Sequence, residues 1–119
     1  MSESPKNFDV IIVGARVAGS AAAILLARDG RRVLLIDKDA FPSDRLSTHI
    51  VLGGGTKVLE RMGVLEMLER AGGVRFARSR TVGPDFDYSG ELMRNGADDR
   101  GLCLGRLVMD AAIIARTAP

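Results

Sequence analysis

Between a β-branched run at residues 8–13 (FDVIIV) and an alanine-rich run at residues 18–28, the chain places Gly14-Ala15-Arg16-Val17-Ala18-Gly19. This order of apolar run, glycine-bearing turn and helix-forming run limits the fold more than any other feature. A short apolar run rich in Val and Ile reads as a strand buried on both faces. Ala21, Ala22, Ala23, Leu25, Leu26 and Ala27 are good helix formers, apolar nearly all round, so their helix is expected to be covered on more than one side. Asp29-Gly30 ends it, with Gly30 suited to a left-handed position after the last turn. RVLLI at residues 32–36 reads as a second buried strand. Strand, helix and strand then form a parallel, right-handed βαβ unit.

A dinucleotide turn needs Gly-x-Gly-x-x-Gly for three separate reasons. The first glycine makes the tight turn, the second admits the pyrophosphate to the backbone, and the third lets helix pack on strand. Gly14 and Gly19 fill the first and third places, while Arg16 stands in the second. Its Cβ crowds the backbone approach, and its guanidinium either pairs with a phosphate oxygen or stays an exposed turn residue. Asp37 follows the second strand 37 − 19 = 18 residues beyond Gly19. That is near the spacing of about 20 at which an acid accepts hydrogen bonds from the adenosine ribose. A plain nucleotide-binding module and an NAD(P)-dependent Rossmann dehydrogenase share these first forty residues.

After Asp37 the character changes. Residues 39–49 are a polar loop, and Gly53-Gly54-Gly55 lead to Thr56 as an expected N-cap. Residues 57–70 carry apolar Val58, Leu59, Met62, Leu65 and Leu68, predicting one amphipathic helix despite Gly63. Gly72-Gly73 ends it. Residues 74–104 are rich in β and turn signals, with strands expected at 80–83, 85–92 and 101–104. A last helix is expected over 107–116, with Leu107, Ala111 and Ile114 on one face.

Composition closes off several function classes. The 119 residues are 46% hydrophobic, which excludes a disordered chain, and no apolar run reaches the roughly 18–20 residues of a bilayer span. Charge is near balance at 17 − 15 = +2, and four Phe with one Tyr offer no stacking platform for nucleic acid. One cysteine excludes an internal disulfide framework and a Cys-rich zinc site, and Cys103 reads as a small buried hydrophobe. Acidic residues and interrupting glycines around the first apolar run argue against a signal peptide, so a cytoplasmic location is expected. Gly53–Gly55 fail the P-loop pattern because Thr56-Lys57 follow in the wrong order. His49, the only histidine, lacks a carboxylate partner or nucleophile in sequence and reads as a hydrogen-bonded loop residue. Ser47 and Thr48 have no base arrangement, and Asp98-Asp99 beside Asn95-Gly96 read as a hairpin loop.

With these residues in hand, the chain resembles the N-terminal part of the FAD-dependent oxidoreductases related to aromatic hydroxylases and geranylgeranyl reductases. The likeness is strongest over DVIIVGARVAGSAAAILLARDGRRVLLIDKDAFPSDRLSTH, residues 9–49. It continues to RLVMD at residues 106–110, which is similar to a stretch whose arginine contacts the flavin cofactor. The resemblance implies an α/β fold: a Rossmann-like, glutathione-reductase-like βαβ FAD-binding unit with the start of a β-rich substrate-domain insertion. On that pattern residues 1–73 are the FAD-binding unit and following helix, 74–104 belong to the substrate domain, and 105–119 return to the first domain. Implied cofactor-binding residues are Gly14, Ala15, Arg16, Val17, Ala18, Gly19, Asp37, Lys38, Arg45 and Arg106. NAD(P)H is the implied electron donor and a small organic molecule the implied substrate, for oxygenation or reduction. No catalytic residue is expected in this stretch, because the flavin carries the chemistry. Two later family segments, Asp-Gly and Gly-Asp, are not in the sequence, so the chain reads as truncated, with a non-enzymatic role as the alternative. A bare edge on the first strand is expected to favour self-association.

Overall fold

The structure, a computed structural model, describes residues 7–44, 46–94 and 97–117. Its first unit is the anticipated one: β1 (Val10–Val13), α1 (Val17–Arg28) and β2 (Val33–Ile36), with β1 and β2 parallel and in register from Val10↔Val33 to Val13↔Ile36. Neither strand is buried on both faces. Burial in β1 alternates, leaving Ile11 62% and Val13 81% exposed on a face that no described element covers, and among the described residues β1 pairs only with β2.

The second sheet is antiparallel, in the order β3 (Ile50–Val51), β9 (Gly101–Cys103), β4 (Val74–Phe76). Between β4 and β9 lie the hairpin β5 (Arg78–Gly83) and β6 (Phe86–Glu91) and the short pair β7 (Met93–Arg94) and β8 (Ala97–Asp98). The expected turn residues Asn95-Gly96 lie outside the described residues. The β5–β6 hairpin is exposed almost throughout, with Arg80 paired to Asp87 and the Phe86 and Tyr88 rings stacked at 5.9 Å. The molecule measures 68 × 30 × 26 Å along its principal axes.

Three sequence expectations are corrected here. The glycines before Thr56 do not precede a helix but begin it: α2 spans Gly53–Arg61 with Leu52 as N-cap. A Cβ on Gly53 would fall 2.2 Å from Asp99, and one on Gly55 would fall 2.5 Å from Val51, so close packing explains both residues. Thr56 is buried, and its hydroxyl lies 2.8 Å from the Gly53 carbonyl and 3.0 Å from that of Arg100. The single helix expected over 57–70 is two, α2 and α3 (Leu65–Arg70). Gly63, at φ +66°, terminates the first through bonds from its own N–H to Glu60 and from Val64 N–H to Leu59. This paired pattern recurs at Gly30 and Gly72 and satisfies carbonyls a helix end leaves open. Arg28 adds to it, donating to the carbonyls of Arg61 and Met62.

The third correction concerns which faces are inside. On α4 (Arg106–Ile114) the buried positions are Met109, Asp110 and Ile113, and Leu107 is 45% exposed. Cys103 is exposed, because its neighbour Leu102 takes the inward place in β9 and side chains alternate along a strand. The core joins every helix to β9: Ile24 from α1, Leu59 from α2, Leu68 from α3, Leu102, and Met109 with Ile113 from α4, around Met62, Val64 and Leu104.

Candidate functional site

The turn from β1 into α1 is set by two glycines acting differently. Gly14 adopts φ +107°, a conformation L side chains rarely take, and its Cβ position faces open space. Gly19 has an ordinary backbone, but a Cβ there would stand 1.7 Å from the Gly14 carbonyl oxygen. These are the turn and packing roles that the spacing predicts. Ser20, buried below, donates to the Ala15 carbonyl at 2.7 Å and fixes the turn from inside.

An open groove of about 590 Å³ runs past this turn, lined by Val13, Gly14, Arg16, Ala18, Gly19, Asp37, Lys38 and Asp39. Helix α1 enters it with no side-chain cap and no acidic residue in its first turn. Its first N–H groups are therefore open to an anion, with no carboxylate in the helix's own first turn to compete. Asp37 stands at the end of β2. One carboxylate oxygen accepts from Ala15 N–H at 2.7 Å and the other from Asp39 N–H at 2.9 Å. These two backbone bonds, that of Asp39 foremost, hold its carboxyl below the usual range. Each oxygen keeps a lone pair for a further donor.

The expected site residues thus separate into groups. Gly14, Arg16, Ala18, Gly19, Asp37 and Lys38 meet at the groove. Ala15 is buried and contributes its N–H to Asp37, and Val17 packs against the core. Arg45 lies outside the described residues. Arg106 does not line the groove: its guanidinium grips Asp110 through Nε at 2.8 Å and Nη2 at 3.0 Å, and its Nη1 donates to Ser47 Oγ at 3.0 Å. Its backbone N–H donates to His49 Nδ1 at 3.1 Å, giving the histidine the hydrogen-bonded loop position expected of it.

Arg16 is not the exposed turn residue that is one of its two expected postures: it lines the groove while its guanidinium is bonded within the protein. Its Nη1 donates to Asp110 at 2.7 Å, its Nη2 to Asp39 at 3.1 Å and to Ser43 Oγ at 2.6 Å, and the plane lies over the Phe41 ring at 5.2 Å. Desolvation opposes the charge, but the bonds to Asp110 and Asp39 outweigh it and raise the arginine pKa. Asp110, 1% exposed, is the residue that sequence reasoning missed. The available signal was its i,i+4 spacing from Arg106, the separation of a helical ion pair.

The groove brings a helix N-terminus, able to meet an anion, beside the Asp37 carboxylate, able to accept from hydroxyl groups. Among the described residues no group of three or more His, Cys, Asp or Glu is placed to hold a metal ion. No helix among them is long and apolar enough to cross a membrane.

Comparison with known proteins points the same way. Residues 9–42 match the profile of the FAD dependent oxidoreductase family. The chain is 46% identical over 61 residues to squalene epoxidase 6 of Arabidopsis thaliana, covering 51% of this chain and 12% of that protein. With squalene monooxygenase 1,2 of Brassica napus it shares 36% over 102 residues, 74% of this chain and 20% of the relative. Among solved structures, a variant of PqsL from P. aeruginosa superposes with a TM-score of 0.80 at 19% identity, covering 94% of this chain and 31% of that one. The myxobacterial chondrochloren halogenase gives 0.78 at 23% identity, with 95% and 27% covered. The chain therefore spans a fifth or less of these curated relatives and under a third of these solved chains. The profile match makes the βαβ unit described above similar to the N-terminal part of the FAD dependent oxidoreductases, and the solved structures share its fold.

Proposed function

We propose that the chain binds FAD in the groove at the β1–α1 turn and serves a flavin-dependent oxidoreductase acting on a small organic substrate. The observation that carries this reading is the pairing of the Gly14–Gly19 turn with the Asp37 carboxylate on the same groove. In it, the N–H groups opening α1 hold the pyrophosphate, Asp37 accepts from the adenosine ribose, and Lys38 borders the same end. Ala15 and Val17 act through their backbone and packing. Arg106, with Ser47 and His49, and Arg45 stand for the flavin side. When bound, FAD supplies the redox chemistry, and these residues supply position and electrostatics.

The names of the curated relatives favour monooxygenation over reduction, with NAD(P)H as electron donor for the whole enzyme. Residues 1–73 and 105–119 are assigned to the FAD-binding part and 74–104 to the start of a substrate domain; the projecting hairpin supports that division. Pairing of β9 with both β3 and β4 ties the two parts together. A cytoplasmic setting accords with an exposed, unpaired Cys103, which stays reduced there.

Titration with FAD, followed by quenching of flavin fluorescence, tests the reading. Saturable binding is expected, weakened about tenfold or more by Asp37→Asn, which removes a charged acceptor. Gly14→Val, which forces a β-branched residue to positive φ, is expected to abolish it. Absence of binding by the native chain overturns the assignment, and equal binding by Asp37→Asn overturns the ribose role. Tighter binding of NAD+ than of FAD would favour the dehydrogenase alternative.

A further inference from the structure

Two guanidinium groups meet on one buried carboxylate. Asp110, on α4, accepts from Arg16 at 2.7 Å and from Arg106 at 2.8 and 3.0 Å, and its side chain is wholly inaccessible. Arg16 comes from the glycine turn, 94 residues earlier. Beyond Asp110, each arginine reaches a different part of the loop after β2. Arg16 holds Asp39 and Ser43, and Arg106 holds Ser47 and, through its backbone, His49. A buried carboxylate without its cations is strongly unfavourable, so the three groups order one another.

We propose that Asp110 is a positioning residue for the FAD groove. Through Arg16 it fixes the glycine turn against residues 39–43, and through Arg106 it fixes residues 47–49, so that one carboxylate on α4 sets the loop against the turn. This rests on the FAD reading above. It also reassigns Arg16, whose side chain works as a strut from the place where the usual motif has glycine. Nη1 and Nη2 are both engaged within the protein, and a phosphate would have to break those bonds to recruit them.

A strut and a mere obstruction of the backbone give opposite results for Arg16→Gly, which restores the usual glycine and opens the backbone. If the strut matters more than backbone access, FAD binding weakens. Asp110→Asn is expected to weaken it as well, and the losses are expected to be less than additive in the double variant, because the two substitutions share the Arg16–Asp110 contact. The expected loss is about tenfold in FAD Kd, within the range for directly coupled groups. A local readout accompanies this: amide exchange over residues 39–49 rises in Asp110→Asn while that of α1 and α2 stays as in the native chain.

Native or tighter FAD binding by Arg16→Gly overturns the proposal, as do additive losses in the double variant. If Asp110→Asn does not fold, Arg16→Lys replaces it. Lysine keeps the charge but not the fork that spans Asp110 and Asp39, so it is expected to behave like Arg16→Gly. If the native chain binds no FAD, the proposed function fails separately, and amide exchange decides the strut alone: unchanged protection of residues 39–49 in the variants overturns it.

Discussion

At Gly14 and Gly19 one residue type meets two different demands, and substitution separates them. Gly19→Ala drives a methyl into the Gly14 carbonyl, a backbone atom that cannot swing aside. A loss of ~1–3 kcal/mol or more is expected in denaturant unfolding, as for overpacked sites. Gly14→Ala meets no atom and suffers only its positive φ, so ~1–3 kcal/mol of backbone strain is expected, with no displacement of α1. A spectroscopic or crystallographic comparison of the two variants checks this: only the first should move the helix. Asp9 gives a residue-scale pH dependence. Bonds from the Arg32 side chain and then its backbone N–H hold the Asp9 carboxyl at about 2, below its usual 3.8. A folded value below the unfolded one means that the pair stabilises the fold above pH 3.8 and ceases to as pH falls toward about 2. Melting curves across that interval should show a smaller acid loss for Asp9→Asn than for the native chain.

At the scale of elements, the parts legible in sequence are those whose cause is local. The β1–α1–β2 unit follows from β-branched runs, alanines and glycines within thirty residues, and Asp37 follows from its place at the end of β2. What sequence hid depends on distant partners. β3 and β4 have two and three residues, too few to show a period, and exist because β9 runs between them. Gly53 and Gly55 look like loop glycines until Asp99 and Val51 are found against them. Arg16 is ambiguous until Asp110 is found, and the buried face of α4 carries that aspartate beside Met109 and Ile113. Leu102 tests the importance of the central strand. Wholly buried at the centre of β9, it joins the second sheet to the helical core, so Leu102→Ala should cost ~2–5 kcal/mol, read as a lowered denaturant midpoint.

For the whole molecule, the free side of β1 is the surface most open to a partner. Its backbone groups on that side have no strand partner among the described residues, and Ile11 and Val13 are largely exposed. Such an edge pairs readily with another chain. Sedimentation velocity is expected to show self-association that Val13→Lys suppresses, with little change in melting temperature because Val13 is 81% exposed. A monomer at high concentration would remove that expectation. The strand order β3-β9-β4 has one more consequence, and it concerns synthesis. The first βαβ unit has all its strands once residue 36 has left the ribosome, but β3 and β4 wait for a centre that arrives only at residues 101–103. Among the described residues between β4 and β9, the hairpin β5–β6 is the longest paired segment. A nascent chain stalled before β9 emerges should therefore present a finished nucleotide turn beside two unzipped strands, a natural window for a chaperone.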